Sequence, residues 1–303
     1  MGYIAMDVFC ICCVVFLAII GFLTVKLLVI KAKEKKNPTI SEKRTDKKFL
    51  KEIEDGFKNR EFKMHLQFIV DNKMKRIVSA EALSRWKKST GELLPPSAYI
   101  ETMKKSGHIV MLDYYMFEKA CIKLSQWKDT PFAELTMSCN LTRITISEKD
   151  FVSKIQQIAD RYDFERRKLL LEITEDSIEN DKDVAMDNII RAKQLGFRIA
   201  VDDLGSGCTS LMSLCKYPID VVKIDRDIFQ KTNEENGRKL FRGIISLAHD
   251  LNLSVVCEGV ETLAQDRFVT ETNCDYIQGW YYSKALPEAE AEAFAKTYME
   301  KTC

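Results

Sequence analysis

Ionisable and amide side chains stand at the ends of apolar runs throughout this chain. In order, they are Glu81, Asn140, Glu172, Glu175, Asp202, Asp203, Lys223, Glu258 and Gln278. Carboxylates held a few ångströms apart raise one another's pKa unless cations lie between them. Oxygen ligands without histidine or thiolate suit Mg²⁺ or Mn²⁺ better than zinc. If the fold gathers these residues, the sequence predicts a divalent metal site lined by oxygen.

The adjacent Asp202 and Asp203 are the natural bridge of such a site. Two divalent ions about 3.5 to 4 Å apart activate a water and neutralise charge on phosphorus during phosphodiester hydrolysis. Each polar residue also has a structural interpretation when taken alone. The Asp pair precedes Leu-Gly-Ser-Gly and fits a turn, Glu175 fits a helix start, and Lys223 fits a side chain extended toward solvent.

The composition argues against several other chemistries. The chain has three histidines, His65, His108 and His249, none in an HxxxH pair, so histidine-based zinc sites and most Ser-His-Asp catalysis are not expected. Lys plus Arg number 46 and Asp plus Glu 45, which argues against a basic face for DNA or RNA. Several of the ten cysteines lie in apolar runs and fit buried thiols of a reduced domain.

Near the N-terminus lies an uncharged stretch that could cross a lipid bilayer. Residues 8–25 carry no charge, and twelve of them are Val, Ile, Leu or Phe; as a helix they would span about 27 Å. No basic residue precedes them, which favours a retained anchor over a signal peptide. Residues 31–48 hold eight basic and three acidic residues. We predict an anchor at 1–30, a flexible basic linker at 31–48 and a cytoplasmic domain at 49–303, on the inner membrane.

The elements that must position the polar residues alternate between strand and helix. Apolar runs rich in Val, Ile and Leu predict strands at 76–83, 134–141, 168–174, 198–201, 221–224, 254–257 and 276–282. Stretches with helical period predict helices at 109–127, 148–162, 184–195, 237–251 and 289–299. This rhythm is typical of an α/β (β/α)₈ barrel, although a doubly wound sheet would give a similar pattern.

Parallel strands of a barrel are buried on both faces and are therefore apolar along their length. An ionisable residue at the C-terminal end of such a strand marks the mouth, where these barrels place their chemistry. The polar residues named above fall at such ends, as in LLLEITE around Glu172 and VVKID around Lys223. The sequence therefore predicts that they converge on one barrel mouth.

The same residues match the motifs of a known family. In chain order the motifs are Glu81-Ala82-Leu83 with Ser84-Arg85-Trp86, Pro95-Pro96, Asn140, Glu172-Ile173-Thr174-Glu175, Asp202-Asp203-Leu204-Gly205-Ser206-Gly207, Lys223-Ile224-Asp225, Glu258-Gly259-Val260-Glu261-Thr262 and Gln278-Gly279. On these motifs, which extend over residues 60–290, the chain resembles the EAL-type cyclic di-GMP phosphodiesterases. Ordered motifs at βα spacing are far more specific than one tripeptide.

The resemblance implies a TIM-like barrel with one antiparallel strand, two divalent cations (Mg²⁺ or Mn²⁺), and hydrolysis of cyclic di-GMP to linear pGpG. One cation would be held by Glu81, Asn140, Glu172 and Asp202. The other would be surrounded by Asp202, Asp203 and Glu258. Eight ordered motifs thus imply the substrate, the cofactors and the reaction together.

The resemblance also implies roles around the metals. Lys223 would orient the attacking water, Glu258 would take part in catalysis as well as metal binding, and Glu175 would tether the loop after Asp203. The residues implied to contact the nucleotide are Gln67, Leu83, Arg85, Asp203 and Gln278. The family further implies a homodimer.

Three positions depart from the family's pattern. Phe68 stands where Pro usually follows the early Gln, Leu204 replaces the Phe of DDFG, and Cys208 replaces an aromatic residue. The last two lie in the loop that couples metal binding to dimerisation in the family. The substrate is therefore implied more directly than the rate of turnover.

Two other functions stay open on the sequence. A non-catalytic cyclic di-GMP receptor would use the same pocket; its usual mark is loss of Glu81, Asp203 or Glu175, and all are present. An unrelated barrel such as a glycosidase needs two carboxylates at the mouth and gives no role to Lys223. The expected partners are cyclic di-GMP, a second copy of the chain and the bilayer, with no DNA or RNA polymer.

Overall fold

The structure, a computed structural model, describes residues 40–174, 184–204, 214 and 217–302. The chain divides into two units, Met1–Glu52 and Ile53–Cys303. Helix α1, Ile40–Lys58, begins inside the linker predicted at 31–48 and continues past the predicted domain start.

The predicted anchor, residues 8–25, lies outside the described residues. Among the helices that are described, none combines the length and the apolar character that a membrane crossing needs. The anchor therefore stays a prediction.

Strands and helices alternate along the second unit. The strands are β1 Phe62–Asp71, β2 Ile77–Lys87, β3 Leu93–Leu94, β4 Thr136–Leu141, β5 Leu169–Thr174, β6 Arg198–Leu204, β7 Val221–Ile224, β8 Ser254–Cys257, β9 Tyr276–Gln278 and β10 Leu286–Pro287. The α-helices after α1 are α2 Ile100–Ser106, α3 Ile109–Trp127, α4 Arg143–Ile146, α5 Phe151–Ala159, α6 Val184–Gln194, α7 Arg226–Gln230, α8 Glu235–Asp250, α9 Leu263–Thr270 and α10 Glu288–Thr302.

The strands close into a barrel with one antiparallel member. The hydrogen-bonded order is β10-β1-β9-β8-β7-β6-β5-β4-β2-β3, and β1 also pairs with β2, which closes the ring. Neighbours from β2 through β9 are parallel, whereas β1 is antiparallel to both β2 and β9. Strands β3 and β10 extend the ring antiparallel to β2 and β1. The predicted (β/α)₈ barrel is confirmed, and a doubly wound open sheet is excluded.

A layer of buried apolar residues fills the barrel below its mouth. It consists of Ile69, Leu170, Ala200, Val221 and Val256, contributed by five different strands. Because side chains alternate along a strand, the residue two positions away points into the barrel as well. In each of these strands that position carries a polar side chain, namely Gln67, Glu172, Asp202, Lys223 and Glu258. The polar residues therefore form their own layer on one side of the apolar one.

The most evident difference from the predicted elements is β1, a strand that the sequence analysis did not include. A tight turn at residues 72–75, and not a helix, connects β1 to β2. In this turn Asp71 Oδ1 accepts hydrogen bonds from the backbone N–H groups of Lys73 (2.9 Å) and Met74 (2.6 Å). A short Asp side chain that bonds the following amides stabilises such a turn. The strand is thus part of a hairpin, outside the βα rhythm on which the prediction was based.

The strand predicted at 276–282 is shorter, because β9 ends at Gln278. The backbone of Gly279 packs against Val260, where an added Cβ would lie only 2.0 Å from the carbonyl oxygen. A close approach of this kind requires glycine and turns the chain away from the sheet. The helix predicted at 148–162 is also shorter, at Phe151–Ala159.

Candidate functional site

The polar residues predicted from the strand ends meet around Lys223, which is 2% exposed. Its Nζ lies 3.2 Å from Glu81 Oε2, 2.6 Å from Glu258 Oε1 and 3.4 Å from Asp202 Oδ1. It also donates a hydrogen bond to Glu172 Oε1. Carboxylates carried by β2, β5, β6 and the residue after β8 thus surround one ammonium group in the barrel mouth.

The carboxylates hold the Lys223 ammonium in its charged form. Burial acts to lower the pKa of this lysine, but the charges of Asp202, Glu172, Glu258 and Glu81 raise it well above its usual value. Lys223 is therefore a fixed positive charge and does not exchange protons near neutral pH.

Glu81 is the best-anchored carboxylate of the group. Asn140 donates to its Oε1 (2.8 Å) and Gln278 to its Oε2 (2.6 Å). Burial acts to raise the pKa of Glu81, but the charge of Lys223 and the bonds from Gln278 and Asn140 outweigh it and lower the pKa. Glu81 is therefore ionised and held in one orientation.

The carboxyl groups of Glu258, Asp203 and Glu172 resist ionisation. Burial and neighbouring negative charges raise the pKa of Glu258 to about 8 and that of Asp203 to about 6. Burial and the charge of Glu81 raise the pKa of Glu172 well above its usual value. A cation placed among such groups favours their ionised forms, so the cluster has the electrostatic character of a cation site.

Two sets of acidic residues could each hold a metal ion. Glu81, Glu172 and Glu258 each offer an oxygen within 4.8 Å of the others, and so do Asp202, Asp203 and Glu258. The two sets share Glu258, whereas the sequence analysis placed the bridge at Asp202. Both choices involve oxygen ligands alone, which suits Mg²⁺ or Mn²⁺. The identity of the residue that bridges the two ions therefore stays a prediction.

Unsatisfied oxygens support the fit to a cation. Glu172 Oε2 and Gln278 Oε1 are buried and accept no hydrogen bond from any residue that the structure describes. Buried polar atoms normally have partners, and a coordinated ion is one kind of partner. The donor set therefore fits divalent cations at this mouth.

Asp203 adopts a backbone conformation that few residues tolerate. Its φ is 58°, in the left-handed region, where Asp is less disfavoured than most residues. The pairing of β6 with β7 shifts between Val201 and Leu204 at the same place. The irregularity turns two successive aspartates toward the barrel mouth, where a regular strand would send them to opposite faces.

Two hollows open at this mouth. Glu81, Glu172, Asp202, Asp203 and Glu258 form what we call the acidic cluster. One hollow, of about 250 Å³, is bordered by three of its members, Glu81, Asp202 and Glu258, and by Gln67, Leu83, Arg226, Glu261 and Trp280. The other, of about 320 Å³, lies between β2, α2 and α3 and is mainly apolar. A third cavity of about 220 Å³ reaches Lys223 and Glu172 from the opposite end of the barrel. The first two are placed to hold parts of a ligand whose charged group meets the cluster.

A comparison with family profiles decides the family. The profile of the EAL domain matches residues 50–285. The chain belongs to the EAL domain family. The match includes every polar residue of the mouth that the structure describes.

Several known proteins are similar to this EAL domain. Among curated relatives are the bifunctional diguanylate cyclase/cyclic di-GMP phosphodiesterase MucR of Pseudomonas aeruginosa, 28% identical over 78% of this chain and 35% of its own length, and the cyclic di-GMP phosphodiesterase PdeR of Escherichia coli, 29% identical over 74% of this chain and 34% of its own. The chain thus spans about a third of the length of these relatives.

Solved structures show the same architecture. The PaMucR phosphodiesterase in complex with c-di-GMP has a TM-score of 0.76 and 27% identity, covering 80% of this chain and 99% of that one. An EAL domain protein of Listeria monocytogenes has a TM-score of 0.69 and 26% identity, covering 80% and 96%.

The residues expected to contact the nucleotide differ in whether they border the hollows at the mouth. Gln67 stands opposite Glu81 in the β1–β2 ladder and donates to the Ser283 carbonyl (3.1 Å). Leu83 borders both hollows at the mouth. Arg85 donates to the Ser84 carbonyl (2.8 Å) and lines neither hollow.

Glu175, the expected loop tether, and Cys208, one of the departures from the family's pattern, lie outside the described residues. Their roles in the EAL domain stay predictions.

The sequence analysis did not single out Trp280 and Arg226, which border the mouth, because neither stands at a strand end. For Trp280 a signal was present in its place directly after Gln278-Gly279.

Asp113 is a further residue that the sequence analysis missed. It lies buried in α3, and its Oδ2 accepts from Thr142 N (2.8 Å), Thr142 Oγ1 (2.7 Å) and Thr145 Oγ1. Thr142 is two residues beyond Asn140 and precedes α4. Asp113 therefore fixes the segment that carries Asn140 out of β4.

Ionisation of the Asp113 carboxyl should lower the free energy of unfolding of the EAL domain as the pH rises. Burial raises the pKa of this carboxyl from 3.8 to about 6, although the bonds from Thr145 and Thr142 act against the rise. The folded state keeps the proton to a higher pH than the unfolded chain does, so ionisation opposes folding above about pH 6 and the opposition disappears as the pH falls toward 4.

The variant Asp113→Asn lacks this ionisation. We expect its free energy of unfolding, relative to the parent, to rise by up to about 3 kcal/mol between pH 4 and pH 7. Urea unfolding of both proteins across that range measures the difference. A difference that stays constant with pH would contradict the assignment.

Proposed function

We propose that this EAL domain is a metal-dependent phosphodiesterase that hydrolyses cyclic di-GMP to linear pGpG. The observation that carries the proposal is the protonated Lys223 surrounded by Glu81, Glu172, Asp202 and Glu258 at a barrel mouth. The name of the relative PdeR and the c-di-GMP complex of PaMucR support the choice of substrate.

The acidic cluster would hold the divalent ions. The ligands would be Glu81, Asn140, Glu172, Asp202, Asp203 and Glu258, the residues that supply oxygen at the mouth. Such ions, when bound, lower the pKa of a bound water and neutralise charge on a phosphate. The hydrogen bonds from Asn140 and Gln278 to Glu81 keep one of these ligands oriented.

Lys223 would act on the reacting groups directly. Its ammonium donates hydrogen bonds and accepts none, so it can orient the water oxygen and stabilise negative charge on a phosphate oxygen. The water oxygen bonds to phosphorus as the bond from phosphorus to a ribose 3′ oxygen breaks. The water proton passes to that 3′ oxygen, and the opened ring is pGpG.

Product analysis tests the proposal. The full chain is incubated with cyclic di-GMP and Mg²⁺ or Mn²⁺, and the nucleotides are separated by chromatography. We expect pGpG to appear with time. If cyclic di-GMP binds and stays intact under these conditions, the chain is a receptor for the nucleotide and the catalytic proposal is wrong.

We further propose that residues 1–30 anchor the chain to the inner membrane, with residues 8–25 in the bilayer and the EAL domain in the cytoplasm. The absence of charge in residues 8–25 and the basic residues at 31–48 support this. We also propose a homodimer, which the family resemblance implies.

Removing residues 1–39 should release the protein from membranes and leave its chemistry intact. Every acidic residue of the mouth lies in the unit Ile53–Cys303, so we expect unchanged pGpG formation at concentrations that favour a dimer. Fractionation of cells and product analysis of the two forms make the comparison. A truncated chain that folds but neither binds nor hydrolyses cyclic di-GMP would refute this separation.

A further inference from the structure

The most exposed aromatic side chain at the barrel mouth is that of Trp280, among the residues that the structure describes. It is 59% exposed and directly follows Gln278-Gly279. It borders the same hollow as Glu81, Lys223 and Glu258. A large apolar ring facing solvent beside a cluster of charges calls for an explanation, because burial of such a ring is favourable.

The backbone around Trp280 is held in one position. Gln278 O accepts from Val260 N (3.3 Å), and Val260 O accepts from Tyr281 N (3.0 Å). Gly279 lies so close to Val260 that no side chain fits between them. Trp280 is thus mounted on a segment that is fastened to the loop after Glu258, at a set distance from the acidic cluster.

The charges near Trp280 are opposite in sign to those of the cluster. Lys284 Nζ lies 5.4 Å from the centre of the indole ring, within the range of a cation–π contact. Arg226 borders the hollow as well and pairs with Glu261 at 3.0 Å. The hollow therefore combines an acidic floor that suits cations with an aromatic and basic edge.

We propose that Trp280 is the stacking platform for one purine base of the cyclic dinucleotide. The inference rests on the proposed function, because a phosphodiester held at the acidic cluster brings its attached nucleosides to the edge of the same hollow. Bases stack on indole rings through their faces, and such contacts make a large contribution to nucleotide binding. Trp280 would thus position the substrate and take no part in bond breaking.

Binding measurements with three variants test this platform. In Ca²⁺, where we expect binding with little turnover, Trp280→Ala should bind cyclic di-GMP about 5- to 150-fold more weakly than the parent, the equivalent of losing one stacked base. Trp280→Phe keeps an aromatic face and should lose less. Tyr281→Ala is the matched control, since Tyr281 is a neighbouring exposed aromatic outside the lining of the hollow.

If the role of Trp280 were purely structural, its replacement would also change the affinity for metal ions. Mn²⁺ affinity without nucleotide, measured by calorimetry, should be the same in Trp280→Ala and in the parent, because the metal ligands are untouched. If Mn²⁺ affinity falls as much as nucleotide affinity, Trp280 supports the cluster and the stacking proposal is wrong.

Tryptophan fluorescence gives an independent test. The chain has three tryptophans, and Trp86 and Trp127 are 1% and 2% exposed, so a bound base can stack on Trp280 alone. We expect cyclic di-GMP to quench the emission of the parent and to leave that of Trp280→Phe nearly unchanged.

The outcomes separate the two proposals. If cyclic di-GMP fails to bind the parent, the proposed function fails. If it binds the parent and Trp280→Ala equally and leaves the emission unquenched, the function stands and the stacking platform is wrong.

Discussion

Replacing Lys223 by methionine is expected to slow the hydrolysis of cyclic di-GMP on the order of 10²- to 10³-fold, the usual loss when one preorganised electrostatic contact is removed. The affinity for cyclic di-GMP in Ca²⁺ should fall much less, because the proposed contacts through Trp280 and the metal ions would remain. Single-turnover rates and equilibrium binding of the same preparation give the two quantities.

The position of Lys223 adds a second expectation. Removing the ammonium leaves Glu81, Glu172, Asp202 and Glu258 facing one another without their positive partner, and loss of one member of a buried ion pair is destabilising. The metal-free variant should therefore unfold at a lower temperature than the parent, and Mg²⁺ should restore much of the difference.

A matched control separates catalysis from general charge loss. Lys193 pairs with Asp220 at 3.0 Å far from the acidic cluster in the fold, at the N-terminal side of β7. Lys193→Met should leave the hydrolysis rate unchanged. If Lys223→Met loses rate only in proportion to lost metal or lost folded protein, the catalytic role of Lys223 is refuted.

Removing divalent ions should reduce hydrolysis to the background rate. Without them, the site lacks the ions that would lower the pKa of the attacking water, and the negative phosphate faces carboxylates. Mg²⁺ or Mn²⁺ should restore the reaction. Ca²⁺ should support binding with little turnover, because it is larger, accepts more ligands and activates bound water less.

The measurement is pGpG formation after treatment with EDTA and after return of each ion. The control is the thermal unfolding of the EDTA-treated protein, which should stay cooperative because Lys223 partly balances the carboxylates. Equal hydrolysis in EDTA and in Mg²⁺ would remove the metal-dependent mechanism.

The elements that could be predicted from the sequence are those whose residue pattern has a single physical cause. The strands predicted at 221–224 and 254–257 match β7 and β8, and the helix predicted at 109–127 matches α3. Strands buried on both faces are apolar throughout, and α3 has a long apolar period. Strand β1 was missed because it belongs to a hairpin outside the βα alternation, although its apolar and polar residues alternate from Phe62 to Phe68.

The residues of the candidate site that could be predicted are those that strand geometry alone brings to the barrel mouth. Parallel strands bring their C-terminal ends to one mouth, which is why Glu172, Lys223 and Glu258 were found from their positions in apolar runs. Asp113 and Trp280 could not be found in this way. Asp113 acts from a helix through Thr142, and the place of Trp280 depends on the packing of Gly279 against Val260.

The antiparallel first strand has a consequence for how the protein is made. Strand β1 pairs with β2, its neighbour in the chain, and with β9, which comes near the end. At roughly 5 to 20 residues per second, the ribosome keeps β1 without its second neighbour for on the order of 10 to 40 s. During synthesis the amide of Gln278, which holds Glu81, is also missing. The nascent chain therefore gains a complete site in one late step, when its last barrel strand emerges, and not gradually as it grows.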